Sequence, residues 1–155
     1  MSTLTQITAA IKIRLEALPD VDHASIDGYL PPVNTQKVAL VMPAMGMSGT
    51  VGAPVGLKTR LVHRIPCEFW VKVNNGDLVA TMRRGREICL DAAAELQSSA
   101  VVGSALDGTV TSFGDGAGSD PFVWSVDDNI IDTGKAAYIR ATLFVTVTEW
   151  VVLTD

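Results

Sequence analysis

From Tyr138 onward the chain alternates two kinds of side chain for longer than a small domain needs. Ile139, Ala141, Leu143, Val145 and Val147 share one parity, and Tyr138, Arg140, Thr142, Phe144, Thr146, Thr148 and Trp150 share the other. A period of two is the mark of a strand with one buried face. Typical strands run to ~5–6 residues, and at roughly 3.3 Å per residue this one outreaches a single small domain. A second alternation runs over residues 61–73. Leu61, Ile65, Cys67, Phe69, Val71 and Val73 point one way, and Arg64, Glu68, Trp70 and Lys72 the other. Pro66 has no N–H to give to a ladder, which predicts an edge position or a bulge.

Helical spacing marks two further segments. Thr3 and Gln6 form a capping-box pair, and Leu4, Ile7, Ile11, Leu15 and Leu18 recur at helical intervals until Pro19. The prediction is a helix over residues 3–18, with Lys12, Arg14 and Glu16 on its wet face. Asn74, Asn75 and Gly76 make a turn, and Asp77 is the N-cap of a second helix reaching about residue 97. Its stripe of Leu78, Met82, Gly85, Cys89, Ala92, Ala93 and Leu96 contains small residues that allow close approach to a sheet.

Shorter pieces complete the outline. Residues 24–30 form a short segment closed by Pro31 and Pro32, and residues 37–42, with Val38, Leu40 and Val41, suggest a buried strand. Residues 109–113 and 122–126 flank a glycine-rich turn and read as a hairpin. Residues 43–58 carry no charge before Lys58 and no period, so they form a long flexible loop or the tip of an extended hairpin. The expected fold is one α+β domain over residues 1–155. It has a mostly antiparallel sheet, two helices packed on one face, the N-terminal helix first, and extended hairpins.

With 155 residues, 48% of them apolar and 19% charged, the chain can bury a core without disulfides or a structural metal. A net charge of -5 argues against gripping nucleic acid through clustered Lys and Arg. No apolar run approaches the roughly 20 residues of a membrane helix, and no leader pattern opens the chain, so a soluble protein made in the cytosol is expected. Cys67 and Cys89 fall in a predicted strand and a predicted helix and are expected as reduced core residues.

Motifs that carry chemistry are incomplete. Gly52, Gly56, Lys58 and Thr59 resemble a phosphate loop, but Leu57 precedes the lysine and a strand follows it. Gly116, Gly118, Asp120 and Phe122 match part of a calcium-binding nonapeptide that works only as stacked repeats. Asp127, Asp128 and Asp132 fail the spacing of an EF-hand loop. Cys67 and His63 lie four residues apart along a strand, roughly 13 Å, too far for a catalytic pair. His23 sits beside Asp20 and Asp22 in a turn, and Ser48 lacks the final glycine of a nucleophile elbow because Thr50 stands there. No catalytic residue, cofactor or metal site is predicted.

Other features suit an interface. Trp70 and Trp150 fall on the polar faces of the two longest strands, with Phe144 and Tyr138 on the same side as Trp150. Aromatic anchors on a polar face are typical of protein contacts, the alternative being burial beneath a covering helix. Arg83, Arg84 and Arg86 precede Glu87, Asp91 and Glu95 on the second helix, an order opposed to the helix dipole. They lie on a solvated face or meet acids of a neighbouring subunit. Met45, Met47 and Val51 lie in the uncharged stretch, a surface suited to being covered in an assembly.

This order of elements resembles the tail terminator, or tail completion, proteins of long-tailed bacteriophages. The resemblance is carried by layout and size over residues 3–18, 61–97 and 138–151. It implies a homo-oligomeric ring, a hexamer, that caps the last ring of the tail tube, stops its growth and meets the head-completion or connector protein. DNA would pass through the lumen unread, no membrane would be involved, and the protein would reside in the tail or neck of the virion after assembly in the host cytoplasm. Two other neck proteins, a head-tail connector and a tube-capping protein, fit the same features, as does a homologue in a phage-like contractile or secretion device. A small cytosolic enzyme or ligand-binding domain with residues 45–58 as its lid is the rival from another class.

Overall fold

The structure, a computed structural model, describes residues 4–25, 37–42, 48–73, 76–100, 104–115, 118, 120–134 and 136–152. Two strands run its full length. Lys58–Lys72 (β4) and Ala137–Val152 (β8) pair antiparallel without a register shift, from Lys72 opposite Tyr138 to Lys58 opposite Val152. The predicted strands were each a few residues shorter, and the ladder extends both at the ends that lack clean alternation.

Short strands line the two sides of this ladder. Val38–Val41 (β2) pairs with residues 68–71 of β4, and Ser48–Val51 (β3) pairs with residues 61–64 along the same edge. Val21–Ser25 (β1) runs parallel to β2. Pro66 falls between the stretches of β4 that pair with β3 and β2, so on that side it has no strand partner among the described residues. It is a local edge there, as the sequence suggests, and the register with β8 shows no bulge. Val73 donates its N–H to Ala137 and Lys72 to Lys37, so even-numbered N–H groups of β4 point away from β8. At position 66, where proline has no N–H, that direction meets the gap between the stretches paired with β3 and β2.

Three strands sit end to end on the far side of β8: Ser112–Phe113 (β5), Phe122–Val126 (β6) and Ile131–Asp132 (β7). The hairpin expected between residues 109–113 and 122–126 does not form. Both pieces run antiparallel to β8, so they follow one another along it and do not pair. A strand of 16 residues has room for all three. The extended hairpin lies elsewhere, in β3 and β4, where residues 48–51 of the supposed loop are a paired strand. Residues 43–47 of that stretch lie outside the described residues.

Both helices, Leu4–Glu16 (α1) and Leu78–Gln97 (α2), pack on one face of the sheet, giving the α+β architecture expected. Ile7, Ile11 and Leu15 of α1 and Ile88, Cys89, Ala92 and Leu96 of α2 meet Ile65, Cys67, Phe69 and Val71 of β4 and the odd-numbered apolar residues of β8. Gly85 permits this contact, since a Cβ there would stand 3.2 Å from the Ala141 methyl. The two cysteines are free and buried, and burial pushes both thiols up, Cys89 to about 12. The Asp77 carboxylate accepts from the Ala80 N–H at 3.0 Å, the predicted cap. Thr3, the other predicted cap, lies outside the described residues.

Arg14 ties α1 to the turn after α2, donating through Nε to Asp107 at 3.0 Å and through Nη1 to Glu95 at 3.2 Å. Leu106 and Asp107 take positive φ values of 50° and 56° there. The buried Leu106 side chain and its N–H bond to Ser99 Oγ at 3.1 Å hold this turn in place.

Asp77→Ala is expected to lower stability by about 1 kcal/mol in chemical unfolding, the usual worth of an N-cap. The Arg14 guanidinium holds the Asp107 carboxyl below its ordinary range. Its stabilising effect is complete above the unfolded carboxyl pKa of about 3.9 and disappears as pH falls through the lower folded value. Thermal unfolding of Asp107→Asn should fall below that of the native chain at pH 7 and converge with it in strong acid.

Candidate functional site

The main core ends before the two long strands do. Its last members are Ile65 on β4 and Val147 on β8. Residues 58–63 and 148–152 continue beyond, joined by β3 on one side, as a three-stranded arm reaching roughly 20 Å past Ile65.

Specific contacts hold the arm in one shape. Gly49 lets β3 approach, because a Cβ there would stand 2.6 Å from the Val62 carbonyl oxygen. Gly52 donates its N–H to the Arg60 carbonyl at 2.8 Å, and Thr59 Oγ1 donates to the Gly52 carbonyl at 2.7 Å. Val55 and Lys58 exchange backbone bonds of 2.7 and 3.2 Å, and Gly56, at φ +63°, makes the turn between them. His63 Nε2 stands 3.2 Å from Glu149 Oε2, and the Glu149 side chain is buried. On the opposite edge the Trp150 N–H reaches Thr111 Oγ1 at 3.3 Å.

Large apolar side chains crowd the tip. Val51 is 75% exposed, Leu57 74% and Trp150 45%, with Val55 and Val152 also open to solvent. The register sets them on both faces of the arm: Val51, opposite Leu61, is on the helix side, Trp150, opposite Arg60, and Val152, opposite Lys58, are on the outer side, and Val55 bridges to Lys58 at the turn. Exposed large apolar side chains gathered at one end of a sheet are typical of contact surfaces. Lys58, Arg60 and Arg64 share the face that points away from the helices. Arg64 lies over the Phe144 ring at 4.7 Å, and none of the three has an ion pair among the described residues.

The predicted interface residues separate into distinct groups. Trp150 and Val51 are at the arm, and Phe144 is half-buried beneath Arg64. Trp70 and Tyr138 depart from the expectation of exposed anchors. They are 8% and 1% exposed, with ring centroids 6.0 Å apart, in a small second core with Ala39 and Val41. Ile131 and Ala136, at the start of the β7–β8 hairpin, pack on that core, so a turn does the covering and not a helix. Arg84 pairs with Asp20 of its own chain at 2.9 Å, and Arg86 lies over Trp124 at 5.9 Å, while Arg83 is exposed. Met45 and Met47 lie outside the described residues.

Sequence reasoning missed Val55, Leu57, Val152, Lys58 and Arg60, and the exposed Trp124 on β6. The signal was present in the parity of Lys58 and Arg60, which continues the polar face of β4 three residues upstream of its predicted start.

For chemistry the arrangement offers little. Lys58 and Thr59 stand in a strand, with no helix N-terminus behind Gly52 and Gly56. Among the described residues no three His, Cys, Asp or Glu side chains gather as metal ligands. No described helix is long and apolar enough to cross a membrane. A half-open cavity of about 500 Å³ lies on the outer face between β3 and β6, lined by Ser48, Thr50, Arg64, Asp115, Asp120 and Val123 among others. A scan against protein-family models and a search of curated proteins both find no match.

The two tryptophans should respond differently to truncation. Trp70→Ala is expected to lower folding stability by about 3 kcal/mol or more. Trp150→Ala should change it by less than about 1 kcal/mol. Denaturant titration of the two variants checks the contrast.

Proposed function

We propose that this chain is a structural protein that assembles with its own copies into a ring. Its layout resembles that of tail terminator proteins, and on that ground the ring caps a phage tail tube, ends its growth and joins it to the head-completion protein. Its place would be the tail or neck of the virion. The reading assigns no enzymatic step and no cofactor, and DNA would only pass through the lumen.

The observation that carries this reading is the rigid arm with its apolar tip. An isolated domain gains nothing from holding Val51, Val55, Leu57, Trp150 and Val152 in water. Burying such side chains is worth roughly 1.5–3 kcal/mol each, and a neighbouring subunit supplies that burial. The turn, the close approach at Gly49 and the His63–Glu149 pair keep the arm ordered before contact, which limits the entropy lost on association.

A ligand-binding domain is the second reading, favoured by the cavity between β3 and β6. In that case the ligand meets Arg64, which lines the cavity, and not Lys58.

The purified protein, imaged by electron microscopy alone and with tail tubes, should form rings or cap tube ends. A strict monomer that ignores tubes would sink the proposal, and other phage neck proteins would be distinguished by capping connectors instead.

A further inference from the structure

We infer that the outer face of the arm docks on the exposed face of α2 in a second copy of this chain. The inference rests on the ring reading above and names the two surfaces that would build it.

Charge gives the first reason. Lys58 and Arg60 have no ion pair among the described residues, whereas most cations of the helical layer do: Lys12 with Glu16, Arg14 with Glu95 and Asp107, and Arg84 with Asp20. The chain as a whole is acidic, with a net charge of -5, so its unspent carboxylates must lie elsewhere on the surface. Glu87 and Asp91 of α2 are exposed, and no ion pair joins either to another described residue.

Geometry gives the second. Two residues along a strand separate Lys58 and Arg60 by roughly 6.6 Å. One helical turn and a fraction, four residues, separates Glu87 and Asp91 by about 6 Å along the axis. Leu90, among the exposed large apolar residues, stands on the same helical stripe as that acidic pair, and Trp150 is opposite Arg60 on the arm. Each surface thus carries two like charges at matching spacing beside one large apolar side chain, the exposed Arg83 and Arg86 of α2 lying one turn before Glu87 and Leu90.

The fold also dictates that the contact joins different chains. α2 covers the face of the sheet that holds Ala141 and the other odd-numbered residues of β8, while Lys58 and Arg60 share the parity of the opposite face. The two surfaces of one copy cannot meet. A contact between unlike patches is head-to-tail, and a repeated head-to-tail contact closes into a ring when its rotation allows. A nucleic-acid strand is the other occupant that Lys58 and Arg60 would attract. The chain's net charge of -5 works against holding a polyanion there.

Charge reversal tests the pairing. Lys58→Glu with Arg60→Glu, and separately Glu87→Lys with Asp91→Lys, should each weaken self-association by on the order of a hundredfold, read by analytical ultracentrifugation. The chain carrying all four changes should recover the native oligomer. Circular dichroism melts establish that each variant is folded. As an independent check, Arg60→Cys combined with Glu87→Cys should give a covalent ladder of chains on oxidation, both native cysteines being buried. Native-size oligomers from both reversed pairs, folded reversed pairs whose four-change combination stays dissociated, or the absence of a ladder would overturn the inference and leave the ring reading standing. Oligonucleotide binding that Lys58→Glu with Arg60→Glu abolishes, with assembly unchanged, would overturn it in favour of a polyanion. A native chain that is monomeric alone and on tubes would instead remove the ring reading itself.

Discussion

The antiparallel ladder between β4 and β8 is the constraint on which every other element depends. Its register runs unbroken from Lys72 opposite Tyr138 to Lys58 opposite Val152. Because side chains alternate across a strand, that single register decides at once which residues face the helices and which face away. Phe69, Val71, Ile139 and Leu143 then form a continuous apolar floor for α1 and α2. A slip by one residue would turn this floor to solvent and the charged face inward. The short strands contribute little register of their own and take theirs from the ladder, two on the β4 side and three on the β8 side.

The ladder is also longer than the layer that covers it. Where α1 and α2 rest on it, apolar side chains lie inside and ion pairs such as Arg140 with Glu68 lie outside. Past Ile65 and Val147 the main core has no further members on either long strand, and on the outer face Trp150 and Val152 stand exposed. Local polar contacts keep the backbone ordered there, with the Gly52–Arg60 bond and the His63–Glu149 pair replacing core packing. The result is an ordered surface with exposed apolar side chains, which is the physical basis for the proposal that a partner covers it.

Much of the fold could be read from the sequence because long periods leave little ambiguity. The alternation from Tyr138 to Trp150 and the helical stripe from Leu78 to Leu96 each repeat often enough to fix both type and face. Short pieces have no such redundancy. Nothing in residues 109–126 distinguishes pairing with each other from pairing in tandem along β8, since that choice is made by the length of the partner strand. Trp70 and Tyr138 looked like anchors because they have the parity of Glu68 and Arg140, and their cover comes from Ile131 and Ala136, in a two-residue strand and turn with no period to recognise. The arm was half legible. Val51 and Trp150 were named, but Val62, nearly buried on the polar-face parity, interrupts the alternation and hid the start of β4 at Lys58.

The central claim is that the arm is made to be covered by another copy of the chain. Hydrogen–deuterium exchange followed by mass spectrometry across a wide range of protein concentration tests it most directly. The account predicts that amides of residues 48–62 and 148–152, and those of the outer turns of α2, become slower to exchange as concentration rises, while the helix-covered part of the ladder exchanges alike throughout. Exchange in the arm that is the same at every concentration, in a protein whose mass does increase, would place the contact elsewhere and contradict the account.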